Sequence, residues 1–208
     1  MTVLRRVCLA LICAGLSACA GIGLSPSSDP VARLAISGGA VTAAGPAGYC
    51  VDQSTSRPRN GFATLAPCAT LGGEGALPAI TAVALVQVGA AGSASVSGSE
   101  PVFADFLSSE DGRALLSRAG DASQISVARA TGARGVVTVG FADAAPPPID
   151  GLQSEEWRSF IDVGDRLVTV SVRGLSAQPL SASTGELLLS RFVTALRDAN
   201  SADGSIDS

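Results

Sequence analysis

Apolar positions fall along this chain in three patterns, and each predicts a different kind of segment. Residues 7–16 form an apolar run behind Arg5 and Arg6, with Cys8, Cys13 and Gly15 among its aliphatic residues. A membrane-crossing helix needs about 20 apolar residues, whereas this run gives way to small ones after about a dozen, the form of a removable export signal. In residues 166–173, Val168, Val170 and Val172 alternate with Thr169, Ser171 and Arg173, the period of a strand with one buried face. Gly164-Asp165 joins that segment to residues 157–163 and predicts a two-residue hairpin. Leu188, Leu189, Phe192, Val193 and Leu196 recur at helical spacing behind Ser183-Thr184-Gly185-Glu186, which has the form of a capping box.

Weaker patterns fill the rest. Residues 31–41 and 48–52 have strand character broken by Gly38-Gly39 and Gly45-Pro46. Residues 53–60, polar and containing Arg57-Pro58-Arg59, predict a loop, and residues 62–68 a returning strand. Residues 80–88 are apolar and β-branched, and Pro78 and Gly89 hold them to strand length. Pro101 suits the first turn of a helix capped by Ser99, with Phe103, Phe106 and Leu107 on one face. Gly112 weakens its continuation, and Ser109 caps a second short helix carrying Ala114, Leu115 and Leu116 as far as Gly120. Residues 125–130 and 134–141 flank Thr131-Gly132-Ala133 as a hairpin, and Pro146-Pro147-Pro148 makes residues 142–154 a crossing loop.

The expected fold class is α+β: an antiparallel β-sheet of about five to seven strands, with a C-terminal amphipathic helix and one or two short helices packed on one face. The expected organisation is a signal peptide at 1–18, a lipidated cysteine with a flexible tether at 19–32, one domain at 33–200 and a disordered tail at 201–208.

Leu16-Ser17-Ala18-Cys19 resembles the lipobox of bacterial lipoproteins. There the cysteine sulfur carries a diacylglyceryl thioether and becomes the first mature residue. Each buried CH₂ contributes about 0.8 kcal/mol, so two or three acyl chains on Cys19 would anchor the protein to a membrane without spanning it. Ala20 after the cysteine, by its similarity to Gram-negative lipoprotein sorting signals, implies the periplasmic side of the outer membrane. Ordinary cleavage at Ala18-Cys19-Ala20 competes with this reading and would leave a soluble periplasmic protein.

Charge narrows the choice of partner. All 14 basic residues are arginines, and without Arg5 and Arg6 the remaining 12 face 18 acids, a net charge of −6. Such a chain lacks the clustered positive charge that binds nucleic acid. Cys8 and Cys13 leave with the signal, so Cys50 and Cys68 remain as the pair expected to form a disulfide in an oxidising compartment. Redox catalysis by that pair is the alternative, although catalytic dithiols sit much closer, as Cys-x-x-Cys.

The missing residue types limit the chemistry. Without histidine there is no Ser-His-Asp unit and no imidazole metal site, and without lysine no Schiff base or phosphate-loop lysine. No cofactor is implied. Glu155-Glu156 and the pair Asp162 and Asp165 are the acids on which a glycosidase-like hydrolase would depend. The alternative is solvated acids at a strand start and a turn. Arg129, Arg134, Arg158, Arg166 and Arg173 lie on or beside the four strands of the last third. Converging, they would form a surface for an anionic partner; dispersed, they keep sheet edges soluble. Trp157 is expected in the core.

Gly48-Tyr49-Cys50-Val51-Asp52, Trp157-Arg158-Ser159-Phe160-Ile161-Asp162, residues 165–172 and the helix at 188–196 together resemble short envelope proteins from alphaproteobacteria whose function is unknown. The strand-strand-helix ending is also similar in architecture to the PsbP-like fold. These motifs are framework and imply no active site. The expected function is therefore a non-enzymatic cell-envelope lipoprotein, a tethered binding or assembly-accessory domain for another envelope protein. The alternatives are a carboxylate hydrolase and a small-ligand carrier, the latter requiring a cavity between sheet and helix.

Overall fold

The computed structural model describes residues 29–147 and 149–201. The signal segment, Cys19, most of the tether and the tail beyond residue 201 lie outside the described residues. Within them the elements run β1 (Arg33–Ile36), β2 (Val41–Ala44), β3 (Tyr49–Arg57), β4 (Phe62–Pro67), β5 (Ala82–Val88), α1 (Glu100–Ser108), α2 (Glu110–Leu116), β6 (Ile125–Ala133), β7 (Val136–Asp143), β8 (Glu155–Val163), β9 (Arg166–Gly174) and α3 (Ala182–Asn200).

Seven strands form one antiparallel sheet in the order β3-β4-β5-β9-β8-β7-β6, and β1 and β2 make a separate hairpin. The protein is thus α+β, with one jump in its strand order. After β5 the chain crosses one face of the sheet through α1 and α2 to the far edge. It then meanders back until β9 pairs with β5, Ala82 opposite Gly174 through Val88 opposite Val168.

Strand alternation divides the core between the two faces. Val168, Val170 and Val172, with Ala84 and Val86 of β5 and Trp157 and Ile161 of β8, pack against Leu188, Leu189, Phe192, Val193 and Leu196 of α3. The β1–β2 hairpin extends this layer through Ile36, Val41 and Ala43. On the opposite face Val137, Val139, Phe141 and Phe160 pack beneath Ala104 and Leu107 of α1 and Leu116 of α2. The short helices therefore lie on the face opposite α3 and do not share one face with it. Because a strand presents successive residues to opposite sides, β8 supplies Ile161 to one layer and Phe160 to the other.

The two covers differ in reach. Seven strands spaced about 4.8 Å apart make a sheet roughly 29 Å wide, about the length of a helix the size of α3 and twice that of α1. The crossover helices contact β6 and β7, so the second face is closed over β6, β7 and part of β8 and left open towards β9, β5 and β4.

Three local readings of the sequence are corrected. The β6–β7 turn is Arg134-Gly135, both at positive φ (55° and 69°), and Thr131-Gly132-Ala133 continues β6. A Cβ on Gly132 would lie 2.1 Å from the Glu100 carbonyl oxygen, so that glycine serves the approach of α1 and not a turn. Residues 53–57 belong to β3, not to a loop. A bulge after Asp52 accommodates them, with Asp52 accepting from the Ser54 N–H and hydroxyl and the Thr55 hydroxyl, and Ser56 Oγ accepting from the Thr64 N–H. The α3 cap is Ser181, whose Oγ accepts from the Thr184 N–H at 3.2 Å; Ser183 lies two residues further on, within the first turn of the helix. Ser99 occupies the cap of α1 without a side-chain bond, whereas Ser109 caps α2 as expected, accepting from the Gly112 N–H.

Candidate functional site

Cys50 and Cys68 are joined as a disulfide with Cα atoms 4.8 Å apart, bracing the β3–β4 end of the sheet. Trp157 is in the core, 5% exposed. Three of the polar side chains that carried functional expectations, Glu156, Arg158 and Arg173, come together on β8 and β9, on the partly open face.

The β8–β9 turn sets their arrangement. Val163 pairs with Arg166 across Gly164-Asp165, and the register brings Phe160 opposite Thr169 and Arg158 opposite Ser171. One row further from the turn, Glu156 of β8 meets Arg173 of β9. Glu156 Oε2 accepts from Arg173 Nε at 2.8 Å, with Nη2 at 2.5 Å. Its Oε1 accepts from Arg158 Nε at 2.7 Å, with Nη2 also at 2.7 Å. One carboxylate, 3% exposed, thus holds two guanidinium groups. Arg173 is 4% exposed, and its Nη1 donates to the carbonyls of Gln153 and Ser154 at 3.2 and 3.3 Å. Arg158 also donates from Nε to Ser171 Oγ at 3.1 Å and lies 5.1 Å from the centroid of the Phe141 ring. Its side chain is 18% exposed. The cluster carries two positive charges against one negative, and Arg158 is the cation with access to solvent.

That access opens into a groove of about 390 Å³ between the open half of the sheet and the crossover helices. Its floor is Leu85, Phe160, Thr169 and Ser171, its helical wall Phe103 and Leu115, and Arg158 stands in the row nearest Glu156. The far end is Leu167 and Gly89. Leu115, in the helical wall, is 60% exposed, and Val102 and Phe106 of α1 are 73% and 39% exposed. Phe106, expected on one helix face with Phe103 and Leu107, is thus partly out of the core, whereas Phe103 packs on Phe160 at 5.0 Å between centroids with the rings inclined by 55°.

The remaining arginines do not join the cluster. Arg129 is exposed on the edge strand β6 and Arg134 on the β6–β7 turn. Arg166 is half-buried and donates from Nη1 to the Gly89 carbonyl at 2.9 Å. Of the five, the structure brings together Arg158 and Arg173 and separates the rest. Arg173, read as an outer-face residue, is enclosed because Glu156 and the loop carbonyls of Gln153 and Ser154 surround it.

The acids of the hydrolase reading lie at the two ends of β8, Glu155 and Glu156 at its start and Asp162 with Asp165 at its turn. Glu156 and Asp162 are six residues apart on one strand, roughly 20 Å, whereas glycosidase carboxylates lie about 5–9.5 Å apart. Asp162 binds the loop that follows β5: its oxygens accept from the N–H groups of Ser95 at 3.0 Å, Val96 at 3.0 and 3.2 Å, and Ser97 at 2.8 Å. Desolvation alone would raise the Asp162 carboxyl, but the donors from Ser97, Ser95 and Val96 outweigh it and hold the pKa below the usual aspartate value. Asp165 accepts from the Gly92 N–H at 3.0 Å, and Glu155 is exposed at the start of β8. Among the described residues no group of three or more Cys, Asp or Glu is placed to hold a metal ion.

The Glu156-centred cluster and the groove were not anticipated as a site. One signal for the cluster was present: extending the hairpin outward from Gly164-Asp165 puts Glu156 opposite Arg173, and strand alternation puts Arg158 on the same face. Comparison with protein families, curated proteins and solved structures finds no match.

Proposed function

We propose that this protein is an envelope lipoprotein, held on the periplasmic side of the outer membrane by acyl chains on Cys19, and that its domain binds a partner or ligand through the open half of its second sheet face. The observation that carries the reading is that half-open face, a groove lined by Leu85, Phe103, Leu115 and Phe160 in which Leu115 is 60% exposed. Monomeric domains seldom leave contiguous apolar surface of this kind without a use for it. A disulfide suits an exported chain, and no helix among the described residues is long and apolar enough to cross a membrane, so attachment would come from the lipidated cysteine.

Binding is favoured over hydrolysis by the placement of the acids. Glu156 is held by two arginines and Asp162 by backbone donors, and neither is a free carboxylate beside a partner acid.

The test is mass spectrometry of the mature N-terminus with fractionation of the envelope, alongside Cys19→Ala. A triacylated or diacylated Cys19 in the outer-membrane fraction, released to the periplasm by Cys19→Ala, is the expected result. An unmodified N-terminus following residue 20, in a soluble fraction, would overturn the anchor while leaving the groove to be tested separately.

A further inference from the structure

We infer that the groove takes an amphipathic monoanion, a small molecule with an apolar body lying along Leu85, Phe160 and Phe103 and a carboxylate seated on Arg158. This rests on the reading of the open sheet face as the binding surface and adds the ligand's chemistry.

Three observations lead to it. The Arg158–Glu156–Arg173 cluster is unbalanced by one positive charge, and charges withdrawn from water are stable only when compensated. Arg173 is 4% exposed and turned away from the groove: Nε donates to Glu156, Nη1 serves two carbonyls, and Nη2 is buried beside the same carboxylate without a hydrogen bond of its own, out of a ligand's reach. Arg158 directs Nε and Nη2 to Glu156, and among the described residues its Nη1 makes no hydrogen bond. An anion at the groove end would meet that Nη1. Ser171 Oγ already accepts from Arg158 Nε, so its own proton is free to reach the second carboxylate oxygen.

The second observation is that, among the described residues, Arg158 is the only charged one lining the groove. A ligand with a second charge would leave it uncompensated, so one anionic end is what the lining suits. The third is size and polarity. About 390 Å³ falls within the range of small-molecule sites. Beside Arg158 and Ser171, the polar side chains in the groove are Gln87 and Thr169, too few to satisfy the backbone of a bound peptide. An acyl-type carboxylate makes no such demand.

Calorimetric titration of the full exported chain carrying Cys19→Ala, so that no attached acyl chain competes, separates the terms. The probes are decanoate, decanol and decylammonium, which share an apolar body and differ in the head. Decanoate should bind at one site, with decanol weaker by about tenfold or more and decylammonium not detected. Arg158→Gln should bring decanoate to the affinity of decanol, Arg158→Lys should restore part of the difference, and Leu85→Trp, which fills the floor, should abolish binding of both. The probe series needs no variant, so an unstable Arg158→Gln protein would not remove the test. Equal affinity for decanoate and decanol would overturn the carboxylate assignment and leave the groove reading standing. Absence of binding by all three probes would overturn the ligand class, while capture of a protein partner at the groove would still be open to measurement.

Discussion

The indole of Trp157 lies directly against the backbone of Gly185 in the first turn of α3: a Cβ on that glycine would be 2.2 Å from Trp157 Cδ2. On the other side the indole meets Gly140 of β7, where an added Cβ would sit 3.3 Å from Cδ1 and Nε1. Two glycines thus make room for the largest side chain beneath the helix that closes the first sheet face. Gly185→Ala should be destabilising despite alanine's helix preference, since overpacking costs about 1–3 kcal/mol against a gain of about 1 kcal/mol. Trp157 is the only tryptophan in the chain, so its emission in a urea titration reads the effect, and an unchanged or higher midpoint would contradict the packing described.

Glu156 is the common partner of two arginines, and its removal leaves both uncompensated. Glu156→Gln should lower stability by about 3–5 kcal/mol, the usual effect of removing one member of a buried ionic cluster. Combining it with Arg173→Met should recover a large part of that loss, because one of the stranded charges goes too. Chemical denaturation of the single and double variants tests this, and additive losses would show that the groups act independently.

Asp162 fastens the segment after β5 to the end of β8. Its folded-state pKa is depressed, so its contribution is complete above the unfolded aspartate value, about 3.9, and is lost as pH falls through the lower folded value. Asp162→Asn should cost about 1–2 kcal/mol at pH 7, and the gap from the unsubstituted protein should close as pH drops below 4. Amide exchange at Ser95, Val96 and Ser97 should quicken in the variant at neutral pH. A gap that is constant across pH would contradict the charged-acceptor role.

Reducing the Cys50–Cys68 bond releases a loop closed across a sequence separation of 18 residues. On the chain-entropy account, Cys50→Ala with Cys68→Ala should lose about 3 kcal/mol. The loss should appear as a lower thermal midpoint without loss of the α3 layer, since Tyr49 and Val51, not the cysteines, contribute to the core.

The β8–β9 hairpin and α3 were legible because their signals are local and agree: a Gly-Asp turn, alternating valines and apolar residues at helical spacing. The disulfide was legible from cysteine number alone. The turn at Arg134-Gly135 was not, because a non-glycine residue at positive φ leaves little trace in sequence and Gly132, two residues earlier, offered a more conventional turn. The cap of α3 was misplaced for a similar reason, two serines at Ser181 and Ser183 competing for one position. The groove was invisible because it exists only where the crossover helices stop short of the sheet's width, a relationship between elements far apart in sequence. Arg173 shows the same limit. Its alternation with valines placed it on the second face, but only pairing with Glu156 determines that this part of the face is closed.

Photocrosslinking from the groove in intact cells tests the central claim most directly. A photoreactive residue in place of Thr169, on the groove floor, should give a defined adduct by mass spectrometry. The same residue in place of Leu187, 47% exposed on the opposite layer, should not, and Leu85→Trp should remove the Thr169 adduct. Adducts of equal yield from both positions, or a Thr169 adduct indifferent to Leu85→Trp, would contradict the assignment of the open sheet face as the binding surface.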